Sequence, residues 1–158
     1  MSGDGAPSLG SASASGLRVA VIATQWHPEV TDPLLAGALS SLASMGARNP
    51  TVVRAPGAFE LPVLAQAAAV NHDVVVCLAV VVRGRTPHFD YICSAVTDGC
   101  LRVSLDTGVP VGFGVLTVND IGQARDRSGA PGSRESKGQE AVEAAISTAL
   151  ALRQLRRS

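Results

Sequence analysis

A chain of 158 residues, 46% of them hydrophobic and 16% charged, is long enough to bury one substantial core and falls in the size range of a single domain. Its 13 basic and 13 acidic residues cancel to a formal charge of zero, which argues against nucleic-acid binding, where a basic face is expected. No apolar run reaches the roughly 20 residues needed to cross a bilayer, and three cysteines without a CxxC pair argue for reduced thiols in a cytoplasmic protein rather than a disulfide framework or a metal site.

Residues 1–16 are rich in Gly, Ser and Ala and carry neither a basic nor an apolar leader pattern, so a flexible tail is expected there and a folded domain over 17–158. Residues 17–23 (LRVAVIA) predict the first strand, and Thr24-Gln25-Trp26-His27 follows at its carboxyl end. Trp26 is the chain's single tryptophan. It reads equally as a core residue or as a flat ring that stacks on a flat ligand. Thr31-Asp32-Pro33 predicts a helix start, with Gly46 as the stop. Residues 51–55 predict a second strand, ending in Pro56-Gly57-Ala58-Phe59-Glu60-Leu61-Pro62. Pro62 is tolerated only in the first turn of the next helix, which puts Glu60 near a helix N-terminus, as a dipole-stabilised carboxylate or a ligand group. His72, in the turn Asn71-His72-Asp73, reads as a solvated bystander.

Val74–Val82 is nine uninterrupted apolar residues, mostly β-branched, the pattern of a strand buried on both faces of a parallel sheet. Arg83-Gly84-Arg85-Thr86 breaks the run. Thr86 suits a helix N-cap and Pro87 the first helical position. Backbone N–H groups at 84–86, the helix dipole and Arg85 together favour a small anion, a phosphate above all. His88 lies in the first turn of the same helix, where an imidazole beside an anion cradle suits proton transfer near neutral pH. The plainer alternative is an ordinary strand–loop–helix joint with a surface histidine.

Helix 87–106 follows, then strand 109–116. Gly112 and Gly114 resemble a dinucleotide fingerprint only superficially, because the third glycine is missing and the pair lies inside the strand. Phe113 between them is an exposed aromatic or a ligand wall. A short helix over 119–128 carries Arg127, a loop spans 129–135, and a long helix closes the chain over 136–157. The order β-α-β-α-β-α-β-α-α implies a single three-layer α/β domain, a four-stranded parallel sheet in the flavodoxin-like order 2-1-3-4 flanked by helices. The crevice at the strands' carboxyl ends is then expected to collect Trp26, Glu60, residues 83–88 and Phe113 along one rim.

Those residues carry a resemblance. The chain resembles the 6,7-dimethyl-8-ribityllumazine synthase family over nearly all of 17–157, most specifically in Pro56-Gly57-Ala58-Phe59-Glu60-Leu61-Pro62 and Arg83-Gly84-Arg85-Thr86-Pro87-His88-Phe89-Asp90-Tyr91. Shorter matches are Gly114-Val115-Leu116-Thr117 before Asn119, Asp126-Arg127 and Lys137-Gly138. The resemblance implies condensation of 5-amino-6-(D-ribitylamino)uracil with 3,4-dihydroxy-2-butanone 4-phosphate, without cofactor or metal, in the penultimate step of riboflavin biosynthesis. It implies that Trp26 stacks on the uracil, that Ala58, Phe59 and Glu60 line the ribityl and ring pocket, and that Val80, Val81 and Val82 offer backbone groups to the pyrimidine. Gly84, Arg85 and Thr86 are then the phosphate loop, with His88 the proton-transfer residue. Phe113, Arg127 (on the phosphate) and Lys137 are implied to come from a neighbouring subunit of a homo-oligomer, a pentamer in preference to an icosahedral 60-mer. Two other readings compete: a flavodoxin-like flavin- or phosphate-binding module, and a catalytically silent shell-forming relative. The first is weakened because Thr24-Gln25-Trp26-His27 lacks the glycines of a phosphate loop after strand one, the second because Glu60, His88, Arg127 and Lys137 are all present.

Overall fold

A computed structural model describes Gly5 and residues 12–158. Most of the expected tail therefore lies outside the described residues. Within it, Ala14 is buried, and its N–H donates to the Met45 carbonyl at 2.8 Å. Strands β1 (Val19–Thr24), β2 (Thr51–Ala55), β3 (Val74–Val82) and β4 (Val111–Val118) pair in parallel in the order β2-β1-β3-β4. Helices α1 (Pro28–Ser44) and α5 (Lys137–Arg157) cover one face, and α2 (Leu61–Ala69) and α3 (His88–Thr107) cover the other. The expected three-layer α/β domain with strand order 2-1-3-4 is what forms.

The two-residue period of a strand explains why β3 is apolar throughout. Val74, Val76, Leu78 and Val80 pack with Leu34 and Leu42 of α1 and with Val142 and Ile146 of α5. Val75, Cys77 and Ala79 pack with Leu61 and Ala65 of α2 and with Val96 and Cys100 of α3. Each fully buried Val or Leu contributes about 1.5–3 kcal/mol, so this strand anchors both half-cores. Cys77 and Cys100 share a hydrogen bond in the second; that bond and burial push the Cys77 thiol well up.

The two glycines of β4 serve packing. A Cβ at Gly112 would stand 2.5 Å from the Ala141 carbonyl oxygen, and one at Gly114 would stand 2.5 Å from Leu78 Cδ2. Their absence lets α5 lie close on the sheet, which agrees with discounting them as a nucleotide fingerprint.

Several boundaries move. Helix α1 starts at Pro28, not at residue 31, with Pro28 in the first turn and Pro33 inside the helix. Thr31 is fully buried, and its hydroxyl donates back to the Trp26 and His27 carbonyls (3.3 and 3.2 Å) instead of capping. Thr86 does not cap α3 either: Pro87 holds the N-cap position, without a side-chain cap bond. Strand β4 lies two residues later than 109–116. The short helix α4 is only Ile121–Arg125, so Arg127 lies in the turn beyond it. His72 is no bystander: its Nδ1 meets the Ala68 carbonyl at 2.8 Å and its Nε2 meets Thr51 Oγ1 at 2.9 Å, tying the end of α2 to β2. No helix among the described residues is long and apolar enough to cross a membrane.

Candidate active site

The carboxyl ends of β1, β2 and β3 deliver three loops to one place. A cleft of about 290 Å³ opens there, lined by Trp26 and His27 after β1, by residues 57–60 after β2, and by Val80, Val81, Val82, His88 and Ile92 from β3 and α3. This matches eight of the residues expected from sequence: Trp26, Ala58, Phe59, Glu60, Val80, Val81, Val82 and His88. Trp26 is 65% exposed and Phe59 62% exposed, which removes the core reading of Trp26. Flat apolar rings at the mouth of a cleft are free to stack on a flat ligand.

The β2 loop forms a short 3-10 turn, Ala58–Glu60, and Glu60 then occupies the N-cap position of α2. Gly57, just before it, keeps the space between two site groups clear. A Cβ there would lie 3.0 Å from Glu60 Oε2 and 3.6 Å from Trp26 Nε1. Indole and carboxylate thus both border the open side of Gly57, where a methyl group would press on the carboxylate. Residues 84–86 are exposed between the end of β3 and His88, and nothing in the protein lies within 4 Å of a Cβ built at Gly84. The loop is accessible to an anion, and α3 begins immediately after it.

Sequence reasoning passed over two residues. His27 adopts a left-handed conformation (φ 52°, ψ 66°), uncommon for a residue other than glycine, and its Nδ1 approaches Glu29 Oε1 at 3.4 Å. Only its position beside Trp26 could have drawn attention to it. Arg83 caps the end of β3, where its N–H donates to the Val118 carbonyl at 2.9 Å and its guanidinium carbon sits 4.2 Å from the Phe89 ring centroid.

Phe113, Arg127 and Lys137 are not in this cleft. They line a second cavity of about 360 Å³ on the outer side of β4, with Leu116, Thr117 and Gln123 among its other walls. The expectation that Phe113 shares a rim with Trp26 and Glu60 is therefore corrected. Phe113 pairs with Cys77, five residues down the ladder from the Val82–Val118 pair at the carboxyl ends, and β4 is an edge strand. Arg127 is steadied by an Nη1 bond to the Gln123 carbonyl at 2.9 Å. Lys137 contacts Glu135 and lies 2.7 Å from Glu140 Oε2. Burial opposes its charge, but the bonds to Glu135 and Glu140 prevail and hold the ammonium above its ordinary range. Reciprocally, the Lys137 bond outweighs burial and holds the Glu135 carboxyl below its own. A larger apolar cavity of about 420 Å³ between α3 and α5, lined by Leu105, Pro110, Ala144 and Leu152 among others, carries no ionisable side chain and offers nothing for proton transfer.

A doubly wound parallel sheet whose strand-end loops bring exposed aromatic rings, a carboxylate and an imidazole to one rim, beside a solvent-open loop at a helix start, defines a class: α/β proteins with a small-molecule cleft at the carboxyl edge of the sheet. Comparison with known proteins narrows the class. The family model for 6,7-dimethyl-8-ribityllumazine synthase matches residues 16–153. Proteins of that name from Frankia casuarinae (58% identical, 98% of each chain covered), Micrococcus luteus (59%, covering 97% of this chain and 98% of the relative) and Mycobacteroides abscessus (56%, covering 99% and 98%) are similar along almost their whole length. The chain belongs to the 6,7-dimethyl-8-ribityllumazine synthase family.

Proposed function

We propose that this protein condenses 5-amino-6-(D-ribitylamino)uracil with 3,4-dihydroxy-2-butanone 4-phosphate to 6,7-dimethyl-8-ribityllumazine, releasing phosphate and two waters, in active sites that two copies of the chain complete together. Membership of the family supports the reaction. The observation that carries the shared site is the division of the expected residues between two cavities of one chain: Trp26, Phe59, Glu60 and His88 in one, Phe113, Arg127 and Lys137 in the other. A head-to-tail contact that seats the second cavity of one copy on the cleft of the next unites them, and repeated around a closed ring it leaves no copy incomplete.

Each residue then has work suited to its chemistry. Trp26 stacks on the uracil, and the Glu60 carboxylate accepts hydrogen bonds from ribityl hydroxyls. Backbone groups of Val80, Val81 and Val82 read the pyrimidine edge. Backbone N–H groups of Gly84, Arg85 and Thr86, with the Arg127 guanidinium of the neighbouring copy, hold the phosphate. The 5-amino group adds to the ketone and water leaves; phosphate is then eliminated, the ribitylamino nitrogen closes the ring, and the second water departs. His88 moves protons in these steps, a contribution of about 10²- to 10⁴-fold. Holding both substrates in register supplies up to about 7–11 kcal/mol of the barrier. Phosphate is handle and leaving group at once, so the same cradle also stabilises charge developing during elimination.

A pentamer is the preferred ring, in place of a 60-mer shell. Exposed Leu101 and Leu105 on α3 and Phe113 on the β4 edge are apolar surface for such a contact to cover. Free Cys77, Cys93 and Cys100 suit the reducing cytoplasm. The test incubates purified protein with both substrates and follows the fluorescent lumazine, with mass in solution expected near five times the 16.1 kDa chain. Glu60→Ala and Arg127→Ala variants, each nearly inactive, are then unfolded together and reassembled. Random mixing leaves about a quarter of the interfaces with both residues intact, and activity should recover toward that fraction. Absence of lumazine from the native protein overturns the reaction; a mixture no more active than its parents, despite verified exchange, overturns the shared site.

A further inference from the structure

Arg83 is not among the residues that line either cavity, yet contacts from three side chains converge on it. Its N–H bonds the last carbonyl of β4, Val118, at 2.9 Å, and its Nε donates to Asn119 Oδ1 at 3.1 Å. Its two terminal nitrogens reach Asp90 in the first turn of α3, at 3.5 and 3.1 Å. Its guanidinium carbon lies 4.2 Å from the ring centroid of Phe89, which is buried beneath it. The contacts do not stop at Asn119. The Asn119 N–H donates to Gln123 Oε1 at 2.9 Å, and the Gln123 carbonyl accepts from Arg127 Nη1, also at 2.9 Å. A run of hydrogen bonds, passing through the backbone of Asn119 and of Gln123, thus leads from the helix turn that carries His88, through Arg83, to Arg127 on the second cavity.

We propose that Arg83 is a positioning residue for both halves of the site. Through Asp90 and Phe89 it fixes the angle at which α3 leaves the sheet, and with it the 84–86 loop and His88. Through Asn119 and Gln123 it fixes the turn from which Arg127 projects. A planar fork is suited to this role, because several donors of set direction hold two elements at one separation, whereas an ammonium is a single point charge. The inference rests on the shared-site reading given above: each chain then supplies His88 to one site and Arg127 to the next, and Arg83 governs both contributions.

The experiment compares Arg83→Gln and Arg83→Lys with the native protein, after far-UV circular dichroism and solution mass establish that both fold and assemble. A misplacement of about 1 Å costs on the order of 10²-fold. Accordingly kcat/KM for the butanone phosphate should fall about that far in both variants, with weaker inhibition by inorganic phosphate and an unchanged KM for the pyrimidine. A general loss of structure would move both KM values together. Near-native kinetics in Arg83→Lys would reduce the residue to a local charge and overturn the proposal, as would an equal rise in both KM values. Should the Arg83 variants fail to assemble, Asn119→Ala removes only the Nε acceptor and should reproduce a smaller change of the same kind; its absence counts against the proposal.

Subunit mixing then tests the two-sided role. Arg83→Gln reassembled with Arg127→Ala, and separately with His88→Ala, should remain at the average of the parents in both mixtures. Recovery toward a quarter of native activity in either one confines Arg83 to a single half-site and overturns the claim. The Glu60→Ala with Arg127→Ala mixture is the control: if it fails to recover, the shared-site reading falls, while the kinetic signature of Arg83 still stands or falls by itself.

Discussion

Replacing Gly57 with alanine should damage substrate binding while leaving the fold intact. The backbone at Gly57 is extended (φ −155°, ψ −179°), a conformation that alanine adopts freely, so the substitution strains nothing locally and reduces the freedom of the unfolded chain. The new methyl group would lie 3.0 Å from Glu60 Oε2, 3.6 Å from Trp26 Nε1 and 3.8 Å from Trp26 Cδ1. Only the first contact is too close, and the atom it meets is the end of a flexible carboxylate, which moves aside by a few tenths of an ångström at little cost to stability. The carboxylate is, however, the group assigned to the ribityl hydroxyls. A hydrogen bond to a charged group is worth about 1.5–3 kcal/mol, so its loss raises KM for the pyrimidine by roughly 10- to 10²-fold. The melting temperature should hold or rise slightly, since a compatible Gly→Ala change contributes about 0.4–1 kcal/mol. Steady-state kinetics with each substrate varied in turn, beside a thermal melt, measure both quantities. A pyrimidine KM within twofold of native, or a melting point that falls while kinetics stay native, would refute the placement of Glu60 against the substrate.

The same one-carbon change elsewhere should act in the opposite sense. A Cβ at Gly138 would collide with the Leu34 carbonyl of α1, so Gly138→Ala should lower stability by about 1–3 kcal/mol, read as an earlier denaturation midpoint. His88→Ala should reduce kcat by about 10- to 10⁴-fold with little change in either KM; an effect on KM alone would make it a binding residue. The pairing of Lys137 with Glu135 also carries a pH signature. The Glu135 carboxyl is held low, so its contribution is present above the ordinary glutamate value of about 4.3 and is lost as pH falls through the lower folded value. Lys137 is held high, so its contribution is present below about 10.4 and is lost as pH rises through the higher folded value. The melting-point gap between native protein and Lys137→Met should therefore be widest between these limits and close at acid pH, and a gap that persists unchanged into strong acid would rule the pairing out as its source.

What could be read from sequence follows from how local each signal is. The nine apolar residues of β3 cannot be satisfied except with both faces covered, so strand, sheet and three-layer packing come from one short stretch. Residues 57–60 and 80–88 are also contiguous, and their placement at strand ends puts them on one rim however the helices lie. Helix starts were harder. Thr31-Asp32-Pro33 and Thr86-Pro87 both carry the residue types of a cap, but tertiary packing decides where a hydroxyl points, and burial turned Thr31 back toward the preceding carbonyls. The relation of Phe113 to Glu60 was illegible for another reason: it depends on strand register, which leaves no trace in local pattern. Arg83 shows the same limit, because its partners Asp90 and Asn119 are 7 and 36 residues away and nothing in the sequence joins them.

The aromatic residues link composition to site. The chain has five, Trp26, Phe59, Phe89, Tyr91 and Phe113, and a core of this size ordinarily draws on such residues for its largest buried surfaces. Here Phe89 alone is buried; the other four are exposed. The core is instead filled by Val, Ala, Leu and Ile, with glycine where α5 lies against β4. Trp26 and Phe59 flank the cleft, and Phe113, 42% exposed, stands on the wall of the second cavity. Large rings left in water forgo their burial energy in the isolated chain. They recover it only when a flat ligand or a second copy covers them. A low aromatic content that at first reads as an unremarkable feature of a small core is therefore a statement about location: three of the four rings that the core does without, all but Tyr91, stand where substrate and neighbouring chain are proposed to meet.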